Sequence, residues 1–174
     1  MRTQRGITLL ELLVTLAIVA ILLAAGVPSF RAWVQNQELR GAANRMASDL
    51  AYARNAAVDR GARVALCPGD PRGGCRDVPV WEDGWFVFGD DNGDRRWQTD
   101  EPLLRAAPLL DGMSIRSSTA RRSLSFFPNG SAPGSNVTVR LCDDRGAAHG
   151  VQVRVALSGR IRVTRADRDG PAGC

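Results

Sequence analysis

The sequence predicts an α+β fold: one long N-terminal helix, membrane-spanning in its first half and amphipathic in its second, packed on an antiparallel β-sheet head. Three observations predict it. An apolar run of 21 residues extends from Ile7 to Val27, with Glu11 its only charge. A stripe of apolar and small residues at helical spacing follows. Beyond Gly61 the pattern changes to short apolar runs broken by Gly, Pro, Asp and Asn, as consecutive β-strands require.

At about 1.5 Å per residue the apolar run makes a helix of roughly 30 Å, the thickness of the hydrocarbon core. Arg2 and Arg5 precede it, so the positive-inside rule keeps the amino terminus cytoplasmic and exports the rest. A charge inside the bilayer costs roughly 2.5–3.5 kcal/mol even on the lenient insertion scale, which makes Glu11 a functional candidate in need of a partner. Cleavage after Gly6 would supply one, an ammonium at Ile7, one helical turn before Glu11. A secretory peptide has an apolar core of roughly 7–15 residues and an A-x-A-like site. Neither that nor a plain membrane anchor explains Glu11.

Pro28 lies just past the run, where it removes one backbone bond and should kink the helix. Leu39, Ala43, Met46, Leu50, Ala53 and Ala57 then recur at spacings of four, three, four, three and four, a single helical stripe. Its small residues allow close packing on a sheet, so the stripe is core. Arg40, Asn44, Arg45, Asp49 and Asn55 fall on other faces, and Gly61 terminates the helix. Strands are expected at 63–67, 84–88, 103–104, 113–116, 123–127, 136–142, 152–157 and 160–164. The organisation is then a leader at 1–6, a membrane half of the helix at 7–28, an amphipathic half at 29–61 and a β-rich head with a C-terminal tail at 62–174.

Roughly 145 residues lie outside leader and membrane, enough for one modest core. The net charge is +5 and all 23 basic residues are Arg. The planar guanidinium fork suits nucleic acid or anionic lipid, but genomic base composition alone can raise the total, so only the placement of particular arginines carries weight. Cys67 and Cys75 bracket a Pro/Gly-rich loop, and a bond between the remaining Cys142 and Cys174 would pin the C-terminal tail to the sheet. Four cysteines allow three connectivities, and this pairing is the expected one. A metal knuckle needs a tighter spacing than Cys67–Cys75, with only His149 to complete it, whereas disulfides suit an exported head.

Val151, Val153, Val155, Leu157, Ile161 and Val163 are odd-numbered, while Gln152, Arg154, Arg160, Arg162 and Thr164 are even. Alternation puts the aliphatics on one sheet face and the arginines on the other. A turn or bulge at Ser158-Gly159 could reset the register, leaving Arg154 less secure than the Arg160/Arg162 pair. Residues i and i+2 on a strand stand roughly 6.6 Å apart, close enough to grip neighbouring phosphates. Arg165 and Arg168 follow in the tail. Two readings stay open: a DNA-binding face made of Arg154, Arg160, Arg162, Arg165 and Arg168, or a solvated face with salt bridges to Asp167 or Asp169.

Asp90, Asn92, Asp94 and Glu101 stand at positions one, three, five and twelve of an EF-hand-like spacing. Position six is Arg95 where that loop needs Gly, and strands flank it, so a polar β connection is expected over a calcium site. No nucleophile–base arrangement, Cys-x-x-Cys pair or phosphate loop is present in the sequence, which makes an enzyme a poor reading. No cofactor is expected.

Gly6-Ile7-Thr8-Leu9-Leu10-Glu11 resembles the processing site of type IV pilins and type II secretion pseudopilins. The resemblance implies cleavage after Gly6 by the prepilin peptidase, N-methylation of Ile7, and assembly through pairing of Glu11 with a neighbouring subunit's amine. Ile7 departs slightly from the commoner Phe or Met. Trp81-Glu82-Asp83-Gly84-Trp85-Phe86-Val87-Phe88 with Asp90-Asp91-Asn92-Gly93-Asp94 resembles a signature of the GspH/FimT group. Phe126-Phe127-Pro128-Asn129-Gly130 and Gly159-Arg160-Ile161-Arg162 are similar to its F-x-P-x-G and G-R-x-R elements. The resemblance implies a type IV pilin-like fold and an inner-membrane subunit with a periplasmic head, whose partners are other major and minor pilins or pseudopilins. A FimT-like minor pilin of a type IV pilus would also bind double-stranded DNA, sequence-independently, during natural transformation. The alternative is the minor pseudopilin H of a type II secretion system, without DNA binding.

Overall fold

The structure is a computed structural model that describes residues 8–167. The chain divides into two compact units between Gln37 and Glu38, and helix α1 (Leu9–Arg60) runs through both. Thr8 starts the helix: its hydroxyl oxygen accepts the Glu11 amide at 3.3 Å, the N-cap arrangement that satisfies one of the first turn's orphan donors. In the first unit the helix continues through Pro28, and the Ser29 hydroxyl donates to the Ala25 carbonyl in that turn. The apolar segment of this unit is fully exposed and long enough to cross a membrane.

In the second unit every member of the predicted stripe, from Leu39 to Ala57, is buried. Gly61 ends the helix in the left-handed conformation, φ +62°, that a side chain disfavours. The helix faces two antiparallel sheets. The first is built on β1 (Val64–Asp70), which pairs β3 (Trp85–Gly89) along one edge. Its other edge is shared between the short β2 (Gly74–Cys75) and β6 (Leu124–Phe126), and β4 (Leu103–Ala107) closes the far side of β3. The second sheet runs in the order β5 (Ser114–Ser117), β7 (Val137–Cys142), β8 (Val151–Val155), β9 (Ile161–Arg165). All eight expected strands form. The two-residue β2 was not anticipated, because Gly74-Cys75 carries no alternating pattern and pairs only where the disulfide turns the chain back.

β3 shows why the head has two cores. Trp85 and Val87 join the α1 stripe, Leu124 and Phe126, together with Ile115, Val139, Leu141 and Val153 of the second sheet. Phe86 and Phe88 point the other way, onto Ala65, Cys67 and Trp97. Trp97 meets both phenylalanine rings edge-on at 5.6 Å. Cys67 and Cys75 are disulfide-bonded beside this cluster, with Cα atoms 5.5 Å apart.

Asp49 departs from its predicted place. Helical spacing put it on an outward face, yet it is only 5% exposed. Its carboxylate accepts the Trp85 indole N–H at 2.9 Å and the Arg105 guanidinium at 3.0 Å. Arg105 also stacks over Tyr52, 4.1 Å from the ring centroid. Strands β3 and β4 thus reach over the edge of the stripe and cover a charge that periodicity assigns to water.

Candidate functional site

Strand register collects arginines on one face of the second sheet. Arg154 stands directly opposite Arg162 on one side and Thr138 on the other, and Gln152 lies between Arg140 and Thr164. Directly opposed residues point to the same face. The β8–β9 hairpin turns over residues 157–159: the Ala156 amide donates to the Arg160 carbonyl at 2.9 Å, and Gly159 has φ +75°. Every β8–β9 pair joins two even or two odd residues, so the turn leaves the alternation intact. Arg154, Arg160 and Arg162 therefore share a face, along an open groove of about 790 Å³ whose walls also include Arg121, Arg140 and Asp167.

Arg160 and Arg162 are exposed, and among the described residues neither has an ion-pair partner. Arg154 pairs with Asp167 at 2.6 Å, the contact that the solvated-face reading names; Asp169 lies outside the described residues. Arg121 donates to the Asn136 carbonyl and side-chain oxygens. Arg165 does not belong to this face. It opposes Val151, on the side of the odd-numbered aliphatics. Arg168 lies outside the described residues. The aliphatic face is also shorter than alternation predicted: Ile161 packs on the core, whereas Val163 and Leu157 are 41% and 57% exposed. β9 is the outermost strand, and the core's cover reaches only its first residue. Arg140 was missed, although its even position between Val139 and Leu141 carries the same signal; Arg121 had none.

Two glycines set this hairpin on the helix. A methyl group at Gly159 would lie 1.9 Å from the Gly130 carbonyl oxygen, so the two backbones touch only because residue 159 lacks a side chain. The same oxygen accepts Arg54 Nε from α1 at 2.9 Å, and the Ala132 amide donates to the Leu157 carbonyl at 2.8 Å. The F-x-P-x-G loop and the G-R-x-R turn are one contact in space.

The other candidate positions are more scattered. Glu11 is exposed in the apolar span, while Gly6 and Ile7 lie outside the described residues. Cys142 is disulfide-bonded, and its expected partner Cys174 also lies outside them. In the acidic loop, Asp90 accepts the Arg95 amide, Asn92 the Asp94 amide, Asp94 the Arg96 amide and Glu101 the Gln98 amide, all within 3.0 Å. Arg95 adopts φ +63°, taking the left-handed turn without a glycine. Burial, opposed by the Gln98 amide and reinforced by Asp90 and Asp94, holds the Glu101 carboxyl above its usual range. Among the described residues no three metal-ligating side chains come together, and one oxygen of each of these four side chains is taken by a main-chain amide.

A β head on a long helix whose first half is a bare apolar span is the architecture of a type IV pilin-like protein. Residues 42–159 match the family described as type II transport protein GspH, and residues 1–27 match the prokaryotic N-terminal methylation motif. The chain belongs to the GspH family. Two structures of the type IV minor pilin FimU from Pseudomonas aeruginosa are similar at 19% and 20% identity, with TM-scores of 0.56 and 0.58. They cover 77% and 80% of this chain and 96% of their own. The minor pseudopilin EpsH of the Vibrio cholerae type 2 secretion system is similar at 12% identity and a TM-score of 0.51, covering 74% of this chain and 97% of its own. At these identities the likeness shows the fold. No curated protein sequence matches the chain. The family match and the methylation motif together make it a pilin-like protein of the GspH type.

Proposed function

We propose that the protein is a FimT-like minor pilin of a type IV pilus that supports pilus assembly and binds double-stranded DNA, sequence-independently, through the arginine face. Arg160 and Arg162, exposed and without an ion-pair partner among the described residues, carry this reading together with Arg154 opposite Arg162. Strand arginines of this kind contact phosphates and leave base edges unread. The pilus assignment draws support from Gly159-Arg160-Ile161-Arg162, which resembles the G-R-x-R element of FimT-like minor pilins. The family description favours the second reading, pseudopilin H of a secretion system. Deleting the gene separates them: loss of transformation and twitching with secretion intact is expected, and the reverse pattern would establish the pseudopilin.

The DNA claim is tested by titrating the full chain, in detergent, with a short duplex at two salt concentrations. Each phosphate contact adds about 0.9 to the slope of log affinity against log salt, so Arg160→Gln with Arg162→Gln should flatten it by roughly 1.8. The melting temperature should hardly move, because both side chains face water. Equal affinity and slope for the two proteins would remove the DNA role and leave the subunit role standing.

In this reading the prepilin peptidase cuts after Gly6, residues 7–28 anchor the subunit in the inner membrane with the amino terminus cytoplasmic, and the head is periplasmic. The new Ile7 amine is methylated, and Glu11 pairs with the amine of a neighbouring pilin. Gly6→Ala should leave the leader uncut, since a larger side chain at that position makes a poor peptidase substrate. Mass spectrometry should find a methylated Ile7 terminus in the wild type and the intact leader in the variant. A wild-type chain retaining Met1–Gly6 would overturn the processing claim.

A further inference from the structure

Three donors of the arginine face converge on one acidic residue. Asp167 Oδ2 accepts Arg154 Nη2 at 2.6 Å and Gln152 Nε2 at 3.3 Å, and the Asp167 carbonyl accepts Arg140 Nη2 at 2.8 Å. Gln152 and Arg140 are opposed across β7 and β8, so register fixes their place on the sheet, and with Asp167 seated over them they are only 2% and 3% exposed. Gln152 is steadied further by Thr164 Oγ1 at 3.2 Å. Asp167 is itself exposed, and an exposed ion pair of this kind adds little to stability.

A carboxylate and a phosphodiester offer the same thing to a guanidinium fork, a pair of anionic oxygens. We infer that the notch at Gln152 and Arg154, beside Arg140, is a phosphate site, filled in the DNA-free protein by the Asp167 carboxylate, which a backbone phosphate displaces on binding. The inference rests on reading the groove as the DNA face. Arg154 lies across from Arg162, about 5 Å away between adjacent strands, so the notch extends the Arg160/Arg162 pair into one cationic strip. Because Asp167 is tethered, it competes at a high effective concentration. A free phosphate ion loses that contest, whereas a duplex already held at Arg160 and Arg162 wins it by multivalency. The site thus favours a polyanion over single anions.

Binding of a fluorescent duplex to the full chain in detergent tests this with wild type, D167N, R154Q, the R154Q/D167N double variant and R160Q/R162Q, each checked by thermal unfolding. D167N keeps the shape and removes the competing charge, so it should bind several-fold tighter. The gain should vanish when R154Q is the background, because the notch has then lost its main cation. No gain in D167N, or the same gain in both backgrounds as a general charge effect would give, overturns the inference while weaker binding by R160Q/R162Q keeps the DNA face. If R160Q/R162Q binds as well as wild type, the DNA reading falls and this site falls with it.

Discussion

Replacing Asp49 with alanine is expected to destabilise the head by about 3 kcal/mol and to lower its melting temperature by roughly 10 °C. Asp49 is 5% exposed and its carboxylate bridges three elements, from α1 to the Trp85 indole of β3 and the Arg105 guanidinium of β4. Removing it strands a buried indole N–H, at roughly 1–3 kcal/mol, and breaks an ion pair whose acidic side is buried. Arg105 offsets part of this, since its side chain is 41% exposed and can rehydrate. Asp49→Asn keeps an oxygen for the indole and should recover about half of the loss. Thermal and urea unfolding of both variants, followed by tryptophan fluorescence, measures the difference. A loss below about 1 kcal/mol for the alanine variant would show that the bridge is incidental.

Gly159→Ala should be as damaging by a different route. Two costs combine: a φ of +75°, about 1–2 kcal/mol for an L-residue, and a methyl placed 1.9 Å from the Gly130 carbonyl oxygen. That oxygen belongs to backbone already held by Arg54, so it has little freedom to move aside. Gly112→Ala separates the two costs, because Gly112 has φ +74° with nothing within 4 Å of a methyl group. Unfolding free energies should show Gly112→Ala losing only the conformational part and Gly159→Ala losing clearly more. In the proposed function, Gly159→Ala should also weaken DNA binding although no arginine is touched, because Arg160 is carried by the displaced turn. Equal losses at the two glycines would refute the close approach.

Such contacts explain the uneven success of reading the site from residue types. Arg160 and Arg162 follow from alternation alone, and Arg140 could have been found the same way. Arg154 joins them only because the 157–159 turn preserves the pairing of even residues, which depends on the turn's geometry and not on the alternation of either strand. Arg165 was grouped with them by proximity in sequence, and the same period of two sends it to the opposite face.

The sequence by itself determined the elements whose cause is local. The apolar span follows from its length, the α1 stripe from spacings of three and four, the helix end from Gly61, and the eight strands from alternation broken by turn residues. Each depends on neighbours within a few positions, where period and propensity act directly. Tertiary structure alone decided the burial of Asp49, the meeting of Gly130 with Gly159, the placing of Arg121 on the groove wall and the seating of Asp167 among three donors. Those partners lie from 13 to 56 residues apart along the chain. No local pattern records such distances; the packing of two sheets on one helix brings the groups together and sets which charges are buried and which face the groove.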